Sequence, residues 1–262
     1  MTNIKNRLYI FSTTILAVLL SVLHAVALCT AYDGSVGYFD GTPLVVTMQI
    51  LYALGAVWCL VIPFLTAKES TSAAPPTFPM IFTGYFSGIL FLFSGILLLR
   101  SALASPSTPM LVYLLAIFTL LAAPFFLTVG KKAHAALGFL ALGFLFCLLF
   151  YVYFDMYVTI NSPLKVALQL SILSALLFVL CEIRRGIGKP MPRITASARH
   201  LCVLFCLPTS VAHLVFGASD ACGTLERSVI SPVFSLPLLA LALFALSEML
   251  FEKRKEKICK TS

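Results

Sequence analysis

The chain has 262 residues, 60% of them hydrophobic and only 11% charged, with a formal net charge of +8 and a mean hydropathy of +1.03. Soluble domains carry roughly 25% charged and about 45–50% apolar residues. A chain this apolar cannot cover a folded surface with polar groups, which excludes a water-soluble globular protein.

Continuous runs rich in Leu, Phe and Ala recur along the sequence. Several exceed the roughly 18–20 residues needed to cross a hydrocarbon core of about 30 Å. A transmembrane β-barrel would show short alternating segments instead. In lipid each backbone group of a helix is satisfied within its own segment. The predicted fold class is therefore all-α: a polytopic integral membrane helix bundle of about eight spans, arranged as four in–out–in hairpins. Spans are expected near 8–29, 44–66, 80–99, 110–130, 134–154, 163–182, 200–218 and 232–250, in a single transmembrane domain over 1–262 with a short basic tail at 251–262.

Span one follows Lys5 and Arg7, and Ala25 and Ala27 resemble a cleavage site. Its apolar stretch is longer than the roughly 7–15 residues of a signal-peptide core, so it reads as a retained helix. Span three runs from Met80 to Leu99 with twelve Leu, Ile or Phe residues and no charge. Its Gly84 and Gly88 form a small-residue stripe of the kind that lets helix backbones approach closely. Packing inside the bundle is the favoured use; contact with a second copy or a partner membrane protein is the sharper alternative. Pro63, Pro124, Pro208 and Pro237 fall inside spans and each removes a helix hydrogen bond.

Spans two, four, six and eight each follow a similar dipeptide: Thr42-Pro43, Thr108-Pro109, Ser162-Pro163 and Ser231-Pro232. A hydroxyl side chain caps a first turn and proline suits the first helical position. Capping chemistry explains the pattern better than an internal duplication, because the spacings are irregular.

Fifteen of the eighteen Lys and Arg residues fall on one side of the predicted topology, leaving Arg100, Lys165 and Arg227 on the other, while the ten acids divide evenly. By the positive-inside rule both termini are expected in the cytoplasm, in a plasma membrane. The basic character reads as anchoring to anionic lipid, not nucleic-acid binding. Arg184, Arg185, Lys189 and Arg193, in the longest basic connection, are the candidates for contact with lipid head groups; its glycines and prolines argue against a helix there.

Polar side chains inside lipid are costly and are functional candidates by default. His24, Gln49, Asp155, Gln169 and His213 all fall in the outer third of their spans. Lys165 stands in the first turn of span six, where the helix dipole opposes a cation, and Asp155 is its nearest acidic candidate. An outward-facing polar pocket is expected from His24, Gln49, Asp155, Lys165, Gln169 and His213, on spans one, two, five, six and seven. Span seven adds Cys202, Cys206, Thr209 and Ser210 at helical spacing. Cys29 and Cys222 are expected on the outer side, where an oxidising compartment could pair them. The Cys259-Lys260-Thr261-Ser262 terminus has poor middle residues for prenylation. Neither cysteine nor histidine spacing suggests a metal site, and no cofactor is expected. The functional reading is a small-solute or ion transporter, or the membrane subunit of one. A non-catalytic interaction or sensory protein is the first alternative. An intramembrane lipid-modifying enzyme using His24, His213 or Asp155 is the second.

Overall fold

Among the described residues of the computed structural model, eight helices follow one another: α1 (Thr2–Ala31), α2 (Pro43–Thr66), α3 (Phe78–Ala104), α4 (Met110–Leu127), α5 (His134–Phe154), α6 (Pro163–Gly186), α7 (Pro192–Gly217) and α8 (Pro232–Phe251). The structure describes residues 2–34, 36–66, 76–104, 108–131, 133–159, 161–219, 222 and 229–251, without the side chains of 2–6 and 66. Lys68, Glu69, Lys132, Asp220, Glu226, Arg227, Cys259 and the tail from 252 onward lie outside the described residues, as does the side chain of Lys5.

All eight helices are long and apolar enough to cross a membrane. Their outer surface agrees: Leu54, Phe82, Phe93, Phe139, Phe150 and Leu170 are exposed, a display that water would penalise and lipid does not. The chain is an all-α, multi-pass integral membrane protein. Between α1 and α2 it also forms a small antiparallel hairpin, β1 (Tyr32–Asp33) with β2 (Tyr38–Phe39), which the sequence reading did not anticipate. Gly37 adopts a φ of +76° and closes its turn by donating to the Asp33 carbonyl at 2.8 Å.

Successive antiparallel helices give the bundle two ends. The basic end carries Lys131, Arg184, Lys189 and Arg193; the hairpin end carries β1 and β2. Helices α3 to α8 pack as a closed ring in which each touches the next and α8 returns to α3. Its centre is solid. Phe244 of α8 sits edge-on or tilted against Phe126, Phe178 and Phe125, with centroids 5.5, 6.1 and 6.4 Å away. Phe91, Phe126 and Phe144 continue the cluster. In lipid such rings gain nothing from leaving water, so van der Waals packing holds them together, and edge-to-face pairing is worth about 0.5–1.5 kcal/mol. Helices α1 and α2 lie outside this ring, packed on each other and on α7.

The glycines of α3 face α4. A Cβ on Gly84 would lie 2.8 Å from the Phe126 carbonyl, one on Gly88 2.7 Å from Leu127, and one on Gly95 2.7 Å from Leu120. The Gly84/Gly88 stripe is thus occupied within the chain, not turned outward toward another copy.

Helix ends differ from expectation at three places. Ser162 and Ser231 cap their helices, each accepting a backbone N–H two residues on at 3.4 Å. Thr42 Oγ1 makes no hydrogen bond among the described residues, and α4 begins at Met110 with the extended Pro109 as its N-cap, so proline there precedes the helix instead of opening it. Second, α6 continues to Gly186 and ends in a Schellman arrangement. Lys189 N–H reaches the Arg184 carbonyl, Gly188 N–H reaches Arg185, and Gly188 takes the left-handed φ of +77°. Glycine there caps a helix that holds Arg184 and Arg185; it does not exclude one. Third, α7 begins at Pro192, two turns before the expected residue 200. The buried face of those turns carries Thr195, Ser197 and Arg199, and its reason lies in the partners of Arg199.

Candidate functional site

Three polar assemblies occupy the bundle. At the basic end, Glu182 and Arg185 of α6, Arg199 of α7 and Glu248 of α8 form a closed ring of alternating charge. Arg199 Nη2 donates to Glu182 Oε1 at 3.1 Å and its Nε lies 3.0 Å from Glu248 Oε2. Arg185 Nη2 lies 2.5 Å from Glu248 Oε1 and also contacts Glu182 Oε2. Both carboxylates are fully enclosed, Arg199 is 8% exposed and Arg185 18%. Guanidinium groups suit this role because their planar fork serves two acceptors at once. The four charges sum to zero, so the ring is electrically closed. Nearby His134 stacks on Phe125 with centroids 4.2 Å apart and bonds its carbonyl at 2.8 Å.

Arg185 is expected from the sequence among the head-group contacts. The structure puts the Arg185 guanidinium between two carboxylates, leaving Lys189 and Arg193 as the exposed cations of that connection and Arg184 part-exposed. Both glutamates fall on buried helix faces, Glu182 in line with Ser171, Ser174 and Phe178. That register is the signal that separates them from snorkelling residues.

The second assembly is the α5–α6 turn. Lys165 Nζ donates to the Asp155 backbone carbonyl and lies 3.3 Å from Asp155 Oδ2, with the two side chains 1% and 4% exposed. Asp155 Oδ2 also accepts from Val158 N–H at 3.2 Å. A cation in a helix's first turn is unfavourable, and the carboxylate and carbonyl offset that here.

The third assembly runs along the α1–α2–α7 interface. Toward the hairpin end, His24 Nδ1 is 3.0 Å from Tyr52 Oη. His24 meets His213 edge to face with centroids 6.3 Å apart, and Tyr52 also interacts with Thr209. His213 is 2% exposed and Ser210 fully enclosed, yet His213 Nε2 and Ser210 Oγ have no hydrogen-bond partner among the described residues. Above this group Tyr32 sits edge-on to Phe39 and Phe216, at 5.9 and 5.7 Å, so the β-hairpin roofs it. Toward the basic end, His200 Nδ1 is 3.1 Å from Thr13 Oγ1, its ring lies 3.8 Å from that of Tyr9, and Tyr9 donates to the Cys59 carbonyl at 3.4 Å. At 1.5 Å per residue, His200 and His213 stand about 20 Å apart along α7. Between the two groups lies an apolar layer of Leu16, Leu20 and Leu204, where a Cβ on Gly55 would meet Leu16 at 2.9 Å and Leu204 at 3.1 Å.

Of the expected pocket residues, His24 and His213 come together. Lys165 and Asp155 pair with each other, and among the described residues no hydrogen bond or ion pair joins them to the histidines. Gln169 is half-buried on α6, and Gln49 lies on the exposed face of α2. A shallow groove of about 340 Å³ runs beside Asp155, lined by residues such as Tyr153, Met156 and Thr159. Tyr52 and the Tyr9–Thr13–His200 group are the residues that the predicted pocket omitted, while Ser210 stands on the polar stripe noted on span seven. Their signal was weak, since tyrosine and threonine are common in membrane helices and acquire meaning only when three helices are placed. Cys222 is buried in the apolar cluster at the hairpin end, and Cys29 packs against the same cluster.

Fold and polar groups together define a multi-pass helical membrane protein with buried polar sites inside its bundle. The chain matches no family model, no curated protein and no solved structure.

Proposed function

We propose that this protein is a transporter of small solutes or ions, or the membrane subunit of one, and that its route is the α1–α2–α7 interface. The observation that supports this is the placement of two buried histidine groups toward opposite ends of one interface, with an apolar layer between them. Such a layout suits a substrate handed from one half-site to the other. The phenylalanine-filled centre of the α3–α8 ring argues against a route there. With the basic end in the cytoplasm, as the charge asymmetry indicates, the His24–His213 group serves the outer side and the Tyr9–Thr13–His200 group the inner.

Sided accessibility tests the reading without knowledge of the substrate. In a background lacking native cysteines, Ser210→Cys is expected to react with a charged, membrane-impermeant thiol reagent applied outside, and Thr13→Cys with the same reagent applied inside. Protection of both positions from both sides, in folded protein, refutes the reading.

A non-catalytic interaction protein is the second reading, favoured by the bare surface of α2, where Leu54, Val57 and Trp58 are exposed. A catalytic role for the histidines loses support from the commitment of Asp155 to Lys165.

A further inference from the structure

We infer that the solute taken at the His24–His213 group is a small uncharged molecule that both donates and accepts hydrogen bonds, and not an ion; this rests on the transport reading above.

The first ground is charge. No Asp, Glu, Lys or Arg occurs in α1 after Arg7, anywhere in α2, or in α7 after Arg199. The three helices therefore bring no formal charge of their own between the roof, whose β1 carries Asp33, and the inner histidine group, which Arg199 adjoins. An ion entering it would lose its hydration and meet no countercharge, at a cost of several kcal/mol even after relaxation. The charges that the bundle does bury cannot help. The Glu182–Arg185–Arg199–Glu248 ring and the Lys165–Asp155 pair each sum to zero and belong to other interfaces.

The second ground is unmet hydrogen-bonding capacity. An enclosed polar atom without a partner leaves the loss of its hydration uncompensated, and among the described residues His213 Nε2 and Ser210 Oγ are two such atoms on adjacent turns of α7. A hydroxyl both donates and accepts, and a neutral imidazole nitrogen does one or the other according to tautomer. Together they complement an amide or a polyol and do nothing to select a charge. The third ground is space. The imidazoles stand 6.3 Å apart in edge contact, and the leucine layer closes to within 3 Å of a hypothetical side chain at Gly55. Packing this close favours a solute of a few heavy atoms over a bulky one.

Proteoliposomes carrying the full chain would be assayed for equilibration of radiolabelled urea, formamide and glycerol, and in parallel for ion and proton currents. At least one probe is expected to equilibrate tenfold or more faster than in protein-free liposomes. Ser210→Ala and His213→Gln, which keep the packing volume, are expected to lower that rate at least fivefold, while the exposed Gln49→Leu leaves it unchanged. If a histidine variant fails to fold, Ser210→Ala and Tyr52→Phe carry the test. Ion or proton current without probe movement overturns the inference, as does probe movement that the variants leave unaltered. Absence of movement for all three probes also overturns it. In each case the sided labelling at positions 13 and 210 states separately whether the transport reading survives.

Discussion

Replacing Arg199 by methionine isolates the energetic role of the buried charge ring. The substitution keeps the side chain's unbranched apolar stem but removes both of its ion pairs, at 3.1 Å to Glu182 and 3.0 Å to Glu248. At an effective dielectric constant near 20, each such contact is worth about 5 kcal/mol of Coulomb energy. Part of that is offset because Arg199 no longer has to be desolvated. What remains are two enclosed carboxylates facing the single guanidinium of Arg185, a state that costs about 3–5 kcal/mol when one partner of a buried pair is removed. Adding Glu248→Gln leaves a simple Arg185–Glu182 pair and restores neutrality, so the double variant is expected within about 2 kcal/mol of the parent. The second substitution should thus rescue the first. Reversible unfolding by sodium dodecyl sulfate titration in mixed micelles, followed by far-ultraviolet circular dichroism, measures both quantities. If Arg199→Met costs less than about 1 kcal/mol, or if Glu248→Gln adds a further loss instead of a recovery, the account of the ring is wrong.

Three further outcomes are expected. Lys165→Met strands the Asp155 carboxylate, 4% exposed at the α5–α6 turn, and should lower stability by about 3 kcal/mol; adding Asp155→Asn recovers most of it in the same titration. Gly95→Val drives a side chain into Leu120, whose Cγ and Cδ2 would lie 2.7 Å from the new Cβ. A loss of about 1–3 kcal/mol follows, visible as a lower melting temperature in detergent, whereas Gly41→Val, with open space around it, should be neutral. Tyr32→Ala removes two edge-to-face contacts from the roof over His24 and His213. At about 0.5–1.5 kcal/mol each, their loss should speed labelling of Ser210→Cys from outside about tenfold, while Thr13→Cys labelling from inside is unchanged.

Lipid imposes a one-dimensional requirement, a run of apolar residues of fixed length, and that is why the eight helices are legible in the sequence. Their ends are less so. The first turns of α7 carry Thr195, Ser197 and Arg199, which look like loop chemistry until α6 and α8 supply Glu182 and Glu248 as partners. The charge ring stayed hidden for the same reason: each glutamate has basic neighbours in sequence, and nothing local says that its acceptors are spent on another helix. Gln49 shows the converse. Its depth suggested a pocket, but depth gives no azimuth, and the packing of α2 on α1 and α7 turns that residue outward. His24 and His213 share both depth and azimuth, so a reading by depth alone brought them together. The glycine stripe of α3 declared a close approach in the sequence without naming α4 as the helix that makes it.

The packing of α1 and α2 on α7 has a consequence for biogenesis. The first hairpin leaves the ribosome well over a hundred residues before the helix that will cover it. Through that interval His24, Tyr52 and Thr13 wait in the bilayer without His213, Thr209 and His200. Helices α4 to α6, by contrast, each dock on the one made just before. Assembly therefore ends where it began, and the newborn hairpin must be sheltered, by insertion machinery or by lipid head groups, until its late-arriving partner closes the molecule.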